Sequence, residues 1–303
     1  MGNARIGLGR DAISKLFAIK VMTEESNPLN LYSDSIPQKK LKELIDSGVD
    51  IGTFCSQSRR PLLITDIYEV FPSLAQWSPE FLHEKIGDKS VEVNTSETDV
   101  FQEYHRPIQM SLNQYAREIS ADQTKSGRRL YLGALGINQS FPELKSDILF
   151  DSLLPQDRLG LKYLWYGPGG NTTGLHYDTS ENFFMQMYGQ KRWLISEPNS
   201  FLNLHPRSPL SNYPKITDFN PLKPDFEKFP KARKVKFYDL TINPGSVLFV
   251  PAYWWHQVMS YNTIISVNIW CKTSILKAEW GALQLVPLYI RNLLGYNIFP
   301  KRY

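Results

Sequence analysis

From residue 160 onward the chain breaks into short runs rich in Val, Ile, Phe, Tyr and Trp, separated by turns of Gly, Pro and Asn. The runs are Leu161–Tyr166, Phe183–Tyr188, Arg192–Ser196, Lys234–Leu240, Val247–Pro251 and Thr263–Cys271. Several short strands divided by turn signals predict a sandwich or barrel and argue against alternating βαβ units. One interruption is long. Glu197 to Pro230 holds seven prolines, a density that suits an ordered loop and not a sheet interior. The first half is mixed: helices are expected over Lys39–Ser47, Leu74–Ile86 and Ser111–Ser120, and strands over Pro61–Ile67 and Ser90–Asn94. The predicted organisation is a poorly ordered leader (1–35), one mainly β domain (36–275, its core from about 130) and a helical segment (276–303).

Composition narrows the class further. With 303 residues, 42% of them hydrophobic and 21% charged, the chain can bury a large core and is not a disordered polymer. No apolar run approaches the roughly 18 residues of a membrane span, so no membrane partner is expected. Cys55 and Cys271 form neither a disulfide framework nor a CxxC pair, which fits a reducing compartment and a cytoplasmic location. A net charge of +4 argues only weakly for a nucleic-acid partner. The basic run Lys231-Ala232-Arg233-Lys234-Val235-Lys236 reads first as a solvated face.

Two of the five histidines sit in unusual company. In Gly174-Leu175-His176-Tyr177-Asp178 the His and the Asp are two apart, so on extended chain both side chains leave one face. In Asn243-Pro244-Gly245-Ser246 a turn launches a strand, and His256 follows just past the end of that strand among Tyr253, Trp254 and Trp255. Two imidazoles and a carboxylate leave three coordination positions open. That facial set suits a non-haem Fe(II) ion that must bind a chelating cosubstrate and oxygen together. Taken alone, either histidine reads as a packed, hydrogen-bonded structural residue; the neighbours change the balance.

Counting by two from His176 gives Asp178, Ser180, Asn182, Phe184 and Gln186, a polar-enriched face if the chain stays extended. After the turn Gly189-Gln190 a returning strand opens with Lys191. A Lys-Arg pair at a turn is ordinarily solvated, but a lysine inside a metal pocket would need an anion, such as the far carboxylate of a diacid. In Ile264–Cys271, Ser266, Asn268 and Trp270 share one face and the aliphatics the other, and a buried Asn268 requires a hydrogen-bond partner.

At NTTGLHYDTSENFFMQMYGQKRW, NPGSVLFVPAYWWHQV and ISVNIW the chain resembles the JmjC/cupin-like Fe(II)- and 2-oxoglutarate-dependent oxygenases, closest to the factor-inhibiting-HIF-like hydroxylase branch. The resemblance is strong over about 160–275 and looser over 60–160, where RLYLGALGINQSFPEL also looks familial. It implies a double-stranded β-helix, a jelly roll braced by helices. It implies iron ligands at His176, Asp178 and His256, and Lys191 as the cation for the far carboxylate of 2-oxoglutarate. It implies hydroxyl donors at Thr173 and Tyr131, ordering roles for Asn182 and Asn268, and Trp270 as a wall. No catalytic group beyond the metal centre is implied.

The implied reaction consumes O2 and 2-oxoglutarate, releases succinate and CO2, and hydroxylates a side chain of a protein or peptide. Hydroxylation of a tRNA base or small molecule, demethylation, and a catalytically silent metal-binding scaffold are the alternatives. The branch also implies subunit pairing through C-terminal helices. The apolar spacing Trp280–Leu294 is compatible with a homodimer, and equally with a helix covering the core.

Overall fold

The computed structural model of the chain describes residues 29–101, 107–120, 128–208 and 211–272. Its strands are β1 (Asn30–Leu31), β2 (Gln38–Lys40), β3 (Leu62–Thr65), β4 (Ser90–Ser96), β5 (Val100–Phe101), β6 (Ile108–Ser111), β7 (Arg129–Gly136) and β8 (Leu159–Gly167). They continue as β9 (Thr172–Tyr177), β10 (Glu181–Tyr188), β11 (Lys191–Ser196), β12 (Lys236–Ile242), β13 (Ser246–Val250), β14 (Trp255–Ser260) and β15 (Ile264–Cys271).

Strands β8 to β15 form two facing antiparallel sheets, ordered β13-β10-β15-β8 and β12-β11-β14-β9. This is the jelly roll that the resemblance implies. The N-terminal half extends it. Strands β3 and β2 join the β13 edge and β7, β4 and β6 the β8 edge, giving a nine-stranded sheet. On the facing six-stranded sheet β1 lies beyond β12 and β5 beyond β9.

Alternation of side chains assigns each layer. On β10, Phe183, Met185 and Met187 point to a core beneath helices; on β15 Ile265, Val267, Ile269 and Cys271 do the same. The helix Leu112–Ser120 covers that core, and its Tyr115 hydroxyl donates to Tyr166 O at 2.6 Å while accepting from Leu132 N at 3.0 Å. The proline-rich insert closes the outer face of the smaller sheet, where Leu175, Tyr177, Leu194 and Trp255 meet Phe219 and Phe229. Between the sheets lies a third cluster around Phe184, Trp193, Ile195 and Val258, and beside it the cavity.

Several expectations need correcting. The helix expected over Leu74–Ile86 is broken: Pro72–Gln76 is a 3₁₀ turn, and the helix restarts at Pro79 with Ser78 as cap, its side chain accepting from Phe81 N at 3.2 Å. Pro79 has no N–H to continue a helix and forces Ser78 into extended backbone. A helix at Ile51–Ser58, capped by Asp50 on Thr53 N at 2.6 Å, and strand β7 both escape the sequence reading. Of the expected leader, residues 29–35 are described: Leu29 is buried, as is Ile36 just beyond, Asn30–Leu31 pairs with Lys236–Phe237, and Tyr32 stacks on Tyr238 at 4.2 Å. The helical segment 276–303, residues 1–28 and His105 lie outside the described residues.

Nor does the chain stay extended from His176 to Gln186. A turn after Tyr177 sends β10 to the opposite sheet, and the Gly189-Gln190 turn sends β11 back. Gly189 has φ of +68°, and a Cβ there would lie 2.0 Å from Thr263 O. Gly189→Ala therefore combines left-handed strain with a backbone clash, and a loss of about 2 kcal/mol or more is expected. Urea denaturation measures it; an unchanged midpoint would contradict this account of the turn.

Candidate metal centre and cavity

The cross-strand register brings the candidate metal ligands together. Strands β9 and β14 pair so that His176 stands directly opposite His256, with ring centroids 4.2 Å apart. His256 lies past β13, as read, but it is the second residue of a separate strand, β14, that the sequence reading did not recognise. Asp178 lies one residue beyond β9, and its carbonyl accepts from Tyr253 N at 2.7 Å. That bond ties the turn after β9 to the turn before β14. It holds Tyr253 at φ of 69°, a left-handed conformation that costs a non-glycine residue energy.

Each imidazole is aimed by its own backbone. His176 Nδ1 lies 2.8 Å from Gly174 O and His256 Nδ1 2.9 Å from Trp254 O. A carbonyl only accepts, so both Nδ1 atoms carry the proton and both Nε2 lone pairs remain for a ligand. Burial, and next the neighbouring His176, hold the His256 pKa down to about 4, against the opposing pull of Asp178. The ring is neutral at pH 7, the form that binds metals. His256 Nε2 is 3.7 Å from Asp178 Oδ2, and one ligand atom from each of the three residues lies within 4.8 Å of the others. Two neutral imidazoles and one carboxylate converging this closely fit a divalent ion with three positions left open, as Fe(II) chemistry requires.

The triad opens into a cavity of about 140 Å³. Thr173, Tyr131, Asn182, Lys191, Asn268 and Trp270 line it together with His176, Asp178 and His256, so the nine residues to which the resemblance assigns a role share one space. Lys191 is 2% exposed. Its Nζ donates to the Tyr131 hydroxyl at 3.3 Å and lies 4.8 Å from the centre of the Phe184 ring and 5.6 Å from that of Trp165. The solvated-turn reading therefore fails for Lys191, while the adjacent Arg192 faces outward and pairs with Asp239 at 2.7 Å. No described carboxylate pairs with Lys191, and desolvation lowers its pKa to about 7. An ammonium held in an aromatic cage fits the far carboxylate of a diacid such as 2-oxoglutarate.

Asn268 finds its partner in protein: Trp165 Nε1 donates to its Oδ1 at 3.0 Å, which leaves the amide NH2 as the group it can offer an occupant. Asn182 is 4% exposed, and its Oδ1 has no partner. Gln186, on the same parity, does not reach the cavity; it accepts from Ser266 at 2.9 Å and donates to Tyr188 O and Gly189 O, bracing the turn.

Among the cavity residues that escape the sequence reading are Trp193, Trp165 and Lys215. Trp193 stacks on His256 with centroids 5.5 Å apart, and its two-residue spacing from Lys191 is the signal that marks it. Trp165 lies on the inward face of β8. Lys215 comes from the proline-rich insert, where no periodicity announces it.

A jelly roll with two histidines and one carboxylate converging between its sheets presents a candidate metal centre. The chain belongs to the cupin-like domain family, whose model matches residues 52–276, and is a JmjC/cupin-like member of the Fe(II)- and 2-oxoglutarate-type oxygenases. It is 29% identical over 230 residues to Jumonji C domain-containing protein 5 of Drosophila melanogaster, covering 73% of this chain and 57% of that protein. It is 26% identical over 219 residues to lysine-specific demethylase 8 of Xenopus tropicalis, covering 70% and 48%. It is 25% identical over 231 residues to tRNA wybutosine-synthesizing protein 5 of Homo sapiens, covering 71% of each chain. The chain thus spans about half the length of the first two relatives.

Burial of Lys191 opposes stability. Its folded pKa of about 7 lies below the ordinary 10.5, so the folded state carries the full cost of the charge below pH 7. Between pH 7 and 10.5 the unfolded chain holds the extra proton, and the cost is relieved as pH rises. Lys191→Met is expected to raise Tm by about 2 °C or more at pH 6 and by less at pH 9. Thermal unfolding at both pH values checks this; a lower Tm for the variant at pH 6 would contradict it.

Proposed function

We propose that the protein is an Fe(II)- and 2-oxoglutarate-dependent dioxygenase that hydroxylates a side chain of a protein or peptide. The observation that carries this reading is the pairing of the triad with a buried ammonium in one cavity. The triad alone suits many metals, and it is the caged Lys191 that selects for a dicarboxylate cosubstrate.

In this reading His176, Asp178 and His256 hold the ion. When bound, the iron couples oxidation of 2-oxoglutarate to succinate and CO2 with insertion of one oxygen atom into a substrate C–H bond. The chain's own groups bind and orient. Lys191 grips the far carboxylate, with the Tyr131 and Thr173 hydroxyls as further donors. Asn182 and Asn268 order the chelating end, and Trp270 walls the space toward substrate. Trp165, Phe184 and Trp193 exclude water from the lysine's surroundings, which strengthens every charge interaction there.

A protein substrate accords with the relative named as a lysine-specific demethylase, and an RNA substrate with the one named for wybutosine synthesis. The exposed run around Lys231–Lys236 does not decide for RNA. Arg233 stacks over Phe226 at 4.5 Å and Lys236 over Tyr32 at 5.7 Å, as cations on a solvated face commonly do.

Purified protein supplied with Fe(II), ascorbate and 2-oxoglutarate is expected to form succinate. His176→Ala and Asp178→Ala should each lower the rate at least ~100-fold, because the triad acts as a unit. Lys191→Met should raise the KM for 2-oxoglutarate at least ~10-fold, as loss of a buried charge-assisted bond does. Succinate formation that survives removal of His176 would overturn the assignment.

A further inference from the structure

The cavity contains a second lysine. Lys191 lies among Tyr131, Trp165 and Phe184, whereas Lys215 enters from the insert and donates from Nζ to the Thr179 hydroxyl at 3.2 Å, one residue past Asp178. The backbone around it is fixed. Tyr177 N donates to Lys215 O at 3.2 Å and Thr217 N to Leu175 O at 3.1 Å, so the insert runs alongside β9 with Ile216 paired to His176. Arg207 clamps the same stretch, reaching Asp218 at 2.6 Å, while its backbone N donates to Ile216 O at 2.9 Å. Lys215 is half-buried as a residue. Its surroundings lower its pKa by desolvation, with Asp178 opposing.

Charge balance changes when the triad holds its ion. The Asp178 carboxylate is then committed to a divalent cation, and the Lys215 ammonium adds to the positive charge beside it. An ammonium has three donors and no acceptor. A carboxylate reaching the triad through this part of the cavity meets a charge-assisted donor. With the cosubstrate's carboxylates directed to the ion and to Lys191, a lysine, methyl-lysine or arginine side chain arriving beside Lys215 meets an ammonium of its own sign, and like charges brought together repel.

We propose that Lys215 is a specificity-determining residue that receives the carboxylate of the target side chain beside the metal, so that the residue hydroxylated is Asp or Glu and not Lys or Arg. This rests on the dioxygenase reading above and names its substrate class.

The test uses the full chain with Fe(II), ascorbate and 2-oxoglutarate, acting on a peptide library made by proteolysis of whole-cell protein. His176→Ala serves as the blank, and mass spectrometry locates each peptide that gains one oxygen atom. Sites at Asp or Glu are expected to exceed those at Lys or Arg by at least ~10-fold. Lys215→Glu should shift that ratio toward Lys and Arg by ~10-fold or more, Lys215→Met should flatten it, and Lys215→Arg should retain it. Each ratio is taken within one protein, so a general loss of activity in a variant cancels.

A turnover-independent readout is paramagnetic broadening of N-acetyl-aspartate amide against N-acetyl-lysine amide by the Mn(II)-loaded protein. The aspartate derivative should be favoured in the wild type and lose its advantage in Lys215→Met. The inference is overturned if Lys or Arg sites predominate, if the ratio is the same in all variants, or if succinate forms with no acidic site enriched. Absence of succinate under every condition contradicts the dioxygenase reading instead.

Discussion

Pairing of β14 with β9 brings His256 across from His176, although the two are far apart along the chain. Their shared face, the position of Asp178 one residue further on, and the Tyr253-to-Asp178 hydrogen bond all depend on that register. A slip of β14 by one residue would turn His256 to the outer face, against the insert's apolar layer, and the two imidazoles would no longer converge. The layers on either side lock the register: Phe183, Met185 and Met187 bury on the helix side, and Leu175, Tyr177 and Trp255 bury beneath the insert.

Much of this arrangement was legible because strand alternation is local. His176 and Asp178 share a side, Ser266, Asn268 and Trp270 turn away from the aliphatics of β15, and Lys191 opens a strand after a Gly turn. What alternation cannot give is which sheet a strand joins. Asn182 and Phe184 keep parity with His176, but on the facing sheet, because the chain turns at 178–180 and restarts in β10. From the sequence His256 lies only beyond a strand, since the turn at Pro251–Trp254 hides the short β14. Lys215 had no signal at all, its position being set by backbone pairing of a proline-rich loop with β9. The Ile51–Ser58 helix escapes the sequence reading although Asp50 supplies a cap.

Charge is placed in the cavity at a cost to stability. Lys191 is buried with a hydroxyl and aromatic faces but no described acid, an arrangement that an apolar residue of the same size would improve for folding alone. Arg158 illustrates the opposite design, its guanidinium meeting Glu181 at 3.2 Å and Ser56 at 3.1 Å, so that the charge is neutralised within the fold. A cation left without an acid while its neighbours are paired marks a place where an anion is meant to arrive.

The central claim is tested most directly by a crystal structure of the protein with Mn(II) and 2-oxoglutarate. The account predicts one ion bound by His176 Nε2, an Asp178 oxygen and His256 Nε2, with the far carboxylate of the diacid within about 3 Å of Lys191 Nζ. An ion bound elsewhere, or a diacid that leaves Lys191 untouched, would contradict it.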